Sequence, residues 1–184
     1  MMSRHSLLFG VTLVVLSMLA TPSLAVAKSA EQIEIESDAA LETFKKEVKG
    51  GAAFLEKAKG VLIIPEIYKG GVGLGFEYGE GALRIDGKTV DYYSSMSGSI
   101  GLQLGLQKRS VLIAFMEQPA LDQFRASSGW KAGVDGSVAL VEWGSGASLD
   151  SVKIKDPIVG FIFSNEGLMF NLSLEGSKFT KLVR

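Results

Sequence analysis

The chain has 184 residues, a formal net charge of −1, 47% hydrophobic side chains, no cysteine and a single histidine, His5. Without cysteine there is no disulfide, no thiolate chemistry and no acceptor for an N-terminal lipid on cysteine. A near-neutral, slightly acidic chain lacks the dominant basic surface of a general nucleic-acid binder, so no nucleic-acid partner is expected.

The first 27 residues read as a leader. Arg4 and His5 form a weakly basic start, Leu7 to Ala20 is an almost unbroken apolar run, and Pro22 precedes "SLAVAKSA". Small residues there allow cleavage after Ala25 or Ala27, the layout of a secretory signal peptide, and the run is short for a transmembrane helix. The expectation is a signal peptide over 1–27 and a single exported domain over 28–184, periplasmic or secreted and peripheral on a membrane. Removing the leader takes away Arg4 and His5 but no acid, leaving 18 basic against 20 acidic residues.

With His5 gone, Ser-His-Asp and Cys-His arrangements and zinc sites on His or Cys ligands are excluded. Acid–base chemistry would rest on Asp, Glu, Lys or Tyr. The carboxylates Glu77, Glu80, Asp86, Asp91, Glu117, Asp122, Asp135 and Glu142 show no pairing by spacing and read as solvated surface groups. "SMSGSIG" fails as a nucleophile elbow, because position 97 is Ser and the residues beyond Gly101 are strand-like. A non-enzyme without cofactor or metal is expected.

In chain order, the stretch Ile33 to Val48 predicts a helix that starts after a cap at Ser37 or Asp38, with Leu41, Phe44 and Val48 on one face and Lys45, Lys46 and Lys49 beside them. Gly50-Gly51 ends it, and "AAFLEKAKG" predicts a short second helix with Ala52, Leu55 and Ala58 or Lys59 aligned, stopped by Gly60. The period then changes. "VLIIPEI" (61–67) is an apolar run of strand length in which Pro65 marks an edge or bend. Val72, Leu74, Phe76 and Tyr78 alternate with Gly73, Gly75, Glu77 and Gly79, so large side chains share one strand face and glycines dominate the other.

A hairpin comes next, with Asp86-Gly87 at its turn. In "GSIGLQLGLQ", Ile100, Leu102, Leu104 and Leu106 repeat the alternation. "SVLIAFM" (110–116) is a second fully apolar strand, and "PALDQFRASSG" (119–129) a short helix with Pro119 in its first turn and Gly129 beyond its end. Strands resume in "KAGVDGSVALVEW", "SVKIKDPIVGFIFS" and "GLMFNLSLEGSKFTKL", the last with Leu168, Phe170, Leu172 and Leu174 alternating and Asn165-Glu166-Gly167 as the turn before it. The fold class is α+β: N-terminal helices, then a mostly antiparallel, curved or partly closed Gly-rich sheet of about seven to nine strands with one short inserted helix.

The glycines of "KGGVGLGFEYGEGAL" (69–83) do not form a nucleotide loop. Gly71, Gly73 and Gly75 give G-x-G-x-G with Phe at 76, no helix pattern comes after them, and no Lys-Ser/Thr closes a Walker loop. Repeated glycine on one strand face serves either a very close approach of another element or a strong bend.

The order of "LEKAKGVLIIPEIYKGGVGLGFEYGEGAL", "SGSIGLQLGLQKRSVLIAFM", "ALDQF" and "NEGLMFNLSLEGS" resembles the SYLF lipid-binding domain family over about residues 38 to 182. The resemblance implies lipid binding without catalysis. Eukaryotic relatives bind phosphoinositide-containing membranes, some fungal relatives bind and bundle actin, and bacterial relatives are often exported. Eukaryotic members place a basic amphipathic helix ahead of the domain, whereas Ala30 to Glu42 here is acidic, with Glu31, Glu34, Glu36, Asp38 and Glu42.

The function expected is non-enzymatic binding of a lipid or membrane surface through anionic phospholipid headgroups. Candidate contacts are Lys45, Lys46, Lys49, Lys57 and Lys59, with Lys69, Lys108 and Arg109 as further candidates. The alternative is a structural or protein-interaction module of the envelope, with Trp130 or Trp143 as an anchor. An outer-membrane barrel also uses alternating strands, but the unbroken runs 61–64 and 111–116 and the helices argue against it.

Overall fold

The computed structural model describes residues 27–101, 107–142, 155–166 and 173–184. Helix α1 spans Ala30–Glu47, so it begins about two turns ahead of the start that a cap at Ser37 or Asp38 would give. Its cap is Ser29, whose hydroxyl accepts from the Gln32 amide at 3.2 Å, so Ser37 and Asp38 lie inside the helix. Glu31 sits in the first turn and Lys45 and Lys46 in the last, each matched to the helix dipole. Ile33, Ser37, Ala40, Phe44 and Val48 are buried at three- and four-residue spacing.

Gly50, at φ 83°, separates α1 from α2, Gly51–Leu55, which is shorter than the run 52–60 expected. It buries Gly51 and Phe54 rather than the predicted row of Ala52, Leu55 and Ala58. Phe44 and Phe54 both meet Phe161 edge-on, at 5.0 and 5.3 Å between ring centres. That aromatic contact, a long-range one, selects the face.

The strands are β1 (Gly60–Ile85), β2 (Lys88–Gly101), β3 (Gln107–Phe115), β4 (Trp130–Lys131), β5 (Ala139–Glu142), β6 (Ile158–Glu166) and β7 (Lys178–Leu182), with helix α3 at Gln118–Ala126. The described residues form one seven-stranded sheet in the order β4-β7-β2-β1-β3-β6-β5, antiparallel except for the parallel pair β5–β6. The expected α+β architecture is present. Asp86 (φ 50°) and Gly87 (φ 74°) make the predicted hairpin turn, both with the positive φ of a type I′ turn. β6 runs on through Glu166, past the predicted start of the turn at Asn165. α3 ends at Ala126, before the Ser-Ser-Gly expected to close it, with its Pro in the first turn. The predicted alternations through Leu102–Leu106 and Leu168–Leu172, and Trp143, lie outside the described residues.

β1 merges two expected segments into one strand with two arms. Residues 60–69 pair with β3, and residues 73–85 pair with β2. Pro65 sits where the register with β3 shifts, between Ile64 and Ile67, and its carbonyl accepts from the Ser110 hydroxyl at 2.7 Å. A residue without an N–H is tolerated at such a break.

The arms lie against each other. A Cβ on Gly81 would fall 2.0 Å from the Ile63 carbonyl oxygen, and one on Gly79 would fall 2.5 Å from that of Glu66. At the fold-back, a Cβ on Gly71 would fall 1.9 Å from the Leu74 carbonyl. Close approach and bending are therefore one device, the chain closing on its own backbone. The period-two alternation is observed, and the face with the large side chains is the outward one: Leu74 is 70% and Phe76 53% exposed, while Gly75, Glu77 and Gly79 are buried.

Two apolar clusters sandwich the centre of the sheet. β3 divides between them, Val111, Ile113 and Phe115 on one side and Leu112 and Ala114 on the other, which is why its run is apolar throughout. α1 and α2 cover the second side through Phe44, Val48 and Phe54. α3 covers the first through Leu121 and Phe124, and the Phe124 ring lies 4.7 Å from Tyr93, 4.8 Å from Phe115 and 5.5 Å from Trp130. Trp130 is thus a core residue.

The contact between the arms makes a sharp contrast testable. Gly81→Ala should lower unfolding free energy by about 3 kcal/mol or more, because backbone must move to admit the methyl. Gly98→Ala, whose Cβ would meet nothing nearer than 3.9 Å, should leave the denaturation midpoint unchanged or slightly raised. Equal midpoints for the two variants would contradict the packing described.

Candidate functional site

The eight basic residues singled out by sequence fall into two groups. Lys45, Lys46, Lys49, Lys57 and Lys59 are all solvent-facing to some degree, on the last turn of α1, on α2's flank and on the segment leading to β1. Of these five, Lys45 alone has an ion pair among the described residues, with Glu42 at 2.7 Å. An open groove of about 600 Å3 runs beside them, lined by Leu41, Glu42 and Lys45 of α1, Leu55 of α2, and Arg84 and Asp86 at the hairpin.

Lys69, Lys108 and Arg109 are placed differently. Arg109 is 4% exposed and donates to the Glu77 carboxylate at 2.6 Å and to the Ser173 carbonyl at 3.4 Å. Burial pulls its guanidinium below its ordinary value, and the Glu77 charge opposes that. Lys69 reaches the other Glu77 oxygen at 3.2 Å, and Lys108 pairs with Glu66 at 2.5 Å.

Glu77, Glu80 and Asp91, expected in solvent, are therefore buried counter-ions. Glu80 accepts from Tyr78 at 2.6 Å and Arg184 at 2.8 Å, and Asp91 pairs with Arg125 at 2.9 Å and with Lys181. For Glu77 a signal was present: it shares strand parity with Gly75 and Gly79, and so shares their inner face.

The acidic half of α1 is its docking face. Glu34 accepts from Thr89, Tyr92 and Arg84 at 2.9, 2.8 and 3.0 Å, and Asp38 from Arg84 at 2.6 Å. Lys28 bridges Glu36 and Glu66, and the Tyr68 hydroxyl donates to Glu66 at 2.6 Å. Burial pushes the Glu66 carboxyl up, but hydrogen bonds from Lys108, Tyr68 and Lys28 outweigh it and hold the group at about 2. Burial and the Glu80 hydrogen bond raise Tyr78 to about 12. Of the five acids that depart from the eukaryotic pattern, Glu34 and Asp38 fasten α1 to β1 and β2, Glu36 takes Lys28, and Glu42 pairs with Lys45 on α1 itself.

A second surface lies at the fold-back end of β1, on the arm that pairs with β2. Leu74, Phe76 and Met96 are 70%, 53% and 46% exposed, with Phe76 opposite Gly98 and Tyr78 opposite Met96 in the β1–β2 register. Among the described residues no group of His, Cys, Asp and Glu is arranged to hold a metal, and no helix is long and apolar enough to cross a membrane.

Residues 96–182 match the sequence profile of the Ysc84 family, described as Las17-binding protein actin regulator. The matched stretch begins near the end of β2 and takes in β3 to β7; Lys108 and Arg109 fall inside it, and the lysines of α1 and α2 precede it. No curated protein matches the chain.

The charge geometry makes two outcomes measurable. Glu77→Ala strands Arg109 and Lys69 and should cost about 3–5 kcal/mol, much of it recovered when Arg109→Met is added; a cost under about 1 kcal/mol would contradict the burial. The Glu66 carboxyl sits below its ordinary value of 4.5, so its contribution is complete above that pH and is lost as pH falls toward about 2. Melting temperature should drop across that window, and Glu66→Gln should start lower at neutral pH and fall less steeply. Parallel curves for the two proteins would remove Glu66 from the account.

Proposed function

We propose, for a chain whose residues 96–182 match the Ysc84 family and whose sequence resembles the SYLF domain, a role in binding anionic phospholipid headgroups at a membrane surface of the cell envelope. The family is one of binding domains, for lipid or actin-regulatory partners. The finer reading takes residues 1–27 as a signal peptide and 28–184 as one exported lipid-binding domain.

The observation that carries it is the partition of charge along α1. The acidic half is spent on the sheet, while the basic half and α2 turn Lys45, Lys46, Lys49, Lys57 and Lys59 toward solvent. Each basic residue near an anionic surface is worth about 1 kcal/mol and is screened by salt. Glu42, Glu47 and Glu56 lie among the five lysines, so the net attraction is on the order of 2 kcal/mol from charge. Weak, salt-sensitive, headgroup-unspecific adhesion is the behaviour this supports, with Lys45 at the edge of the groove.

A second reading is favoured by the outward apolar row Leu74, Phe76 and Met96, which suits a protein partner better than a headgroup. It makes the chain an interaction module of the envelope, with actin-type binding entering only by analogy with the family's description.

Vesicle flotation separates the two. Lys45→Glu, Lys46→Glu and Lys49→Glu together should reduce retention on anionic vesicles at least about tenfold at low salt, with melting temperature kept. Retention unchanged by the reversal overturns the lysine surface. Retention lost instead with Phe76→Ser, together with a protein captured by the wild type alone, would replace lipid by a protein partner.

A further inference from the structure

The outward face of the second β1 arm does not end at the row of Leu74, Phe76 and Met96. In the β1–β2 register Tyr78 lies opposite Met96, and Tyr78 also lines a cavity of about 230 Å3 beneath the start of α1, together with Lys28, Glu66, Tyr68 and Glu80. Row and cavity therefore meet at that pair. Tyr68, in the cavity wall, is itself 40% exposed. Gly98, opposite Phe76, has no side chain, and a Cβ there would meet nothing nearer than 3.9 Å, so the face is notched beside Phe76. From Leu74 to Glu80 the strand advances about 20 Å.

The chemistry of this track selects its occupant. The surface of the cavity is mainly apolar. Its polar groups are engaged within the protein: the Tyr68 hydroxyl donates to Glu66 and the Tyr78 hydroxyl to Glu80, each at 2.6 Å, and Lys28 pairs with Glu36 and Glu66. The Glu80 oxygen without a hydrogen bond is enclosed and does not face the cavity. The charges balance, Lys28, Lys108 and Arg184 against Glu36, Glu66 and Glu80, so the site complements an uncharged guest. A peptide laid here would bury amide groups without partners, a penalty that a hydrocarbon does not meet. A second copy of the chain is disfavoured by area. Leu74, Phe76, Met96 and Tyr68 together expose on the order of 400 Å2, about half of what each partner buries in a stable interface.

We propose that this face binds the acyl tail of a single lipid molecule, its methyl end in the cavity and its length along Tyr78, Met96, Phe76 and Leu74, with the polar end left in water beyond Leu74. The cavity is smaller than a pocket that encloses a whole ligand, so it takes only the end of the chain. One leaflet of a bilayer has a hydrocarbon depth of about 15 Å, so a membrane-lipid tail fits the length of the track. The site lies apart from the lysine surface and goes beyond headgroup adhesion. Tail binding follows the number of methylenes buried and is indifferent to salt, whereas adhesion through lysines follows headgroup charge and is screened.

Delipidated protein, expressed from the full chain, should bind palmitate at a single site in equilibrium dialysis, equally at low and high salt. Octanoate should bind at least about a hundredfold more weakly. Gly98→Leu, which fills the notch, and Phe76→Ser should each weaken palmitate binding at least about tenfold with the melting temperature kept, because both positions face solvent. Lys45→Glu, Lys46→Glu and Lys49→Glu together should leave palmitate binding unchanged, so the headgroup reading and this one fail separately. Absence of palmitate binding, or binding that both face variants leave intact, overturns the proposal. Palmitate refused while Phe76→Ser abolishes vesicle retention also overturns it, making the face a membrane-inserting surface. Palmitate refused while Phe76 is needed to capture a protein overturns it in favour of a protein partner.

Discussion

The contact between the two arms of β1 is the constraint on which the rest depends. It exists because Gly79 and Gly81 carry no Cβ where the carbonyls of Glu66 and Ile63 lie. With the arms closed, one strand serves β3 on its first half and β2 on its second, so a single segment joins both wings of the sheet. Each inward position on the second arm given to glycine is one that cannot contribute apolar burial there, and the large side chains of Leu74 and Phe76 are turned out as a consequence. Sheet closure and the exposed apolar row are thus two results of one packing decision.

Closing the arms also governs the charges. Glu77 shares the inner face with the glycines and meets Arg109 and Lys69 there, in a low-dielectric setting where an unpaired partner would be far more costly than the pair is favourable. On the opposite parity Glu80 is enclosed by Tyr78 and Arg184. α1 then fastens to the assembled β1–β2 surface through Glu34 and Asp38, which leaves its basic end free. Lys69, Lys108 and Arg109 are tied to carboxylates of β1, whereas the other five candidate lysines face solvent, Lys45 among them paired with Glu42 of its own helix.

Much of the architecture was legible. Period-two alternation located the strands, the Asp-Gly turn located the hairpin, and the apolar run at 110–116 announced a strand covered on both faces. Misreadings came where a local rule met a long-range contact. Ser37 and Asp38 satisfy the rules for a cap, but Ser29 is earlier and its hydroxyl has a free amide to serve. The second helix offered Ala52, Leu55 and Ala58 as a face, yet Phe54 finds the Phe161 ring and rotates the choice. The carboxylates looked solvated because their partners are remote in sequence, 32 residues away for Glu77 with Arg109 and 104 for Glu80 with Arg184.

By itself the sequence determined the period of each segment, the chemistry closed to a chain without cysteine, and the resemblance to a known family, because these are properties of residue types and their order. Only the tertiary structure decided which face of β1 turns inward, which acids become counter-ions and which lysines remain in water. Those outcomes depend on distances between residues far apart along the chain, where a missing methyl group at Gly81 or a carboxylate at Glu77 acts only once its distant partner has arrived.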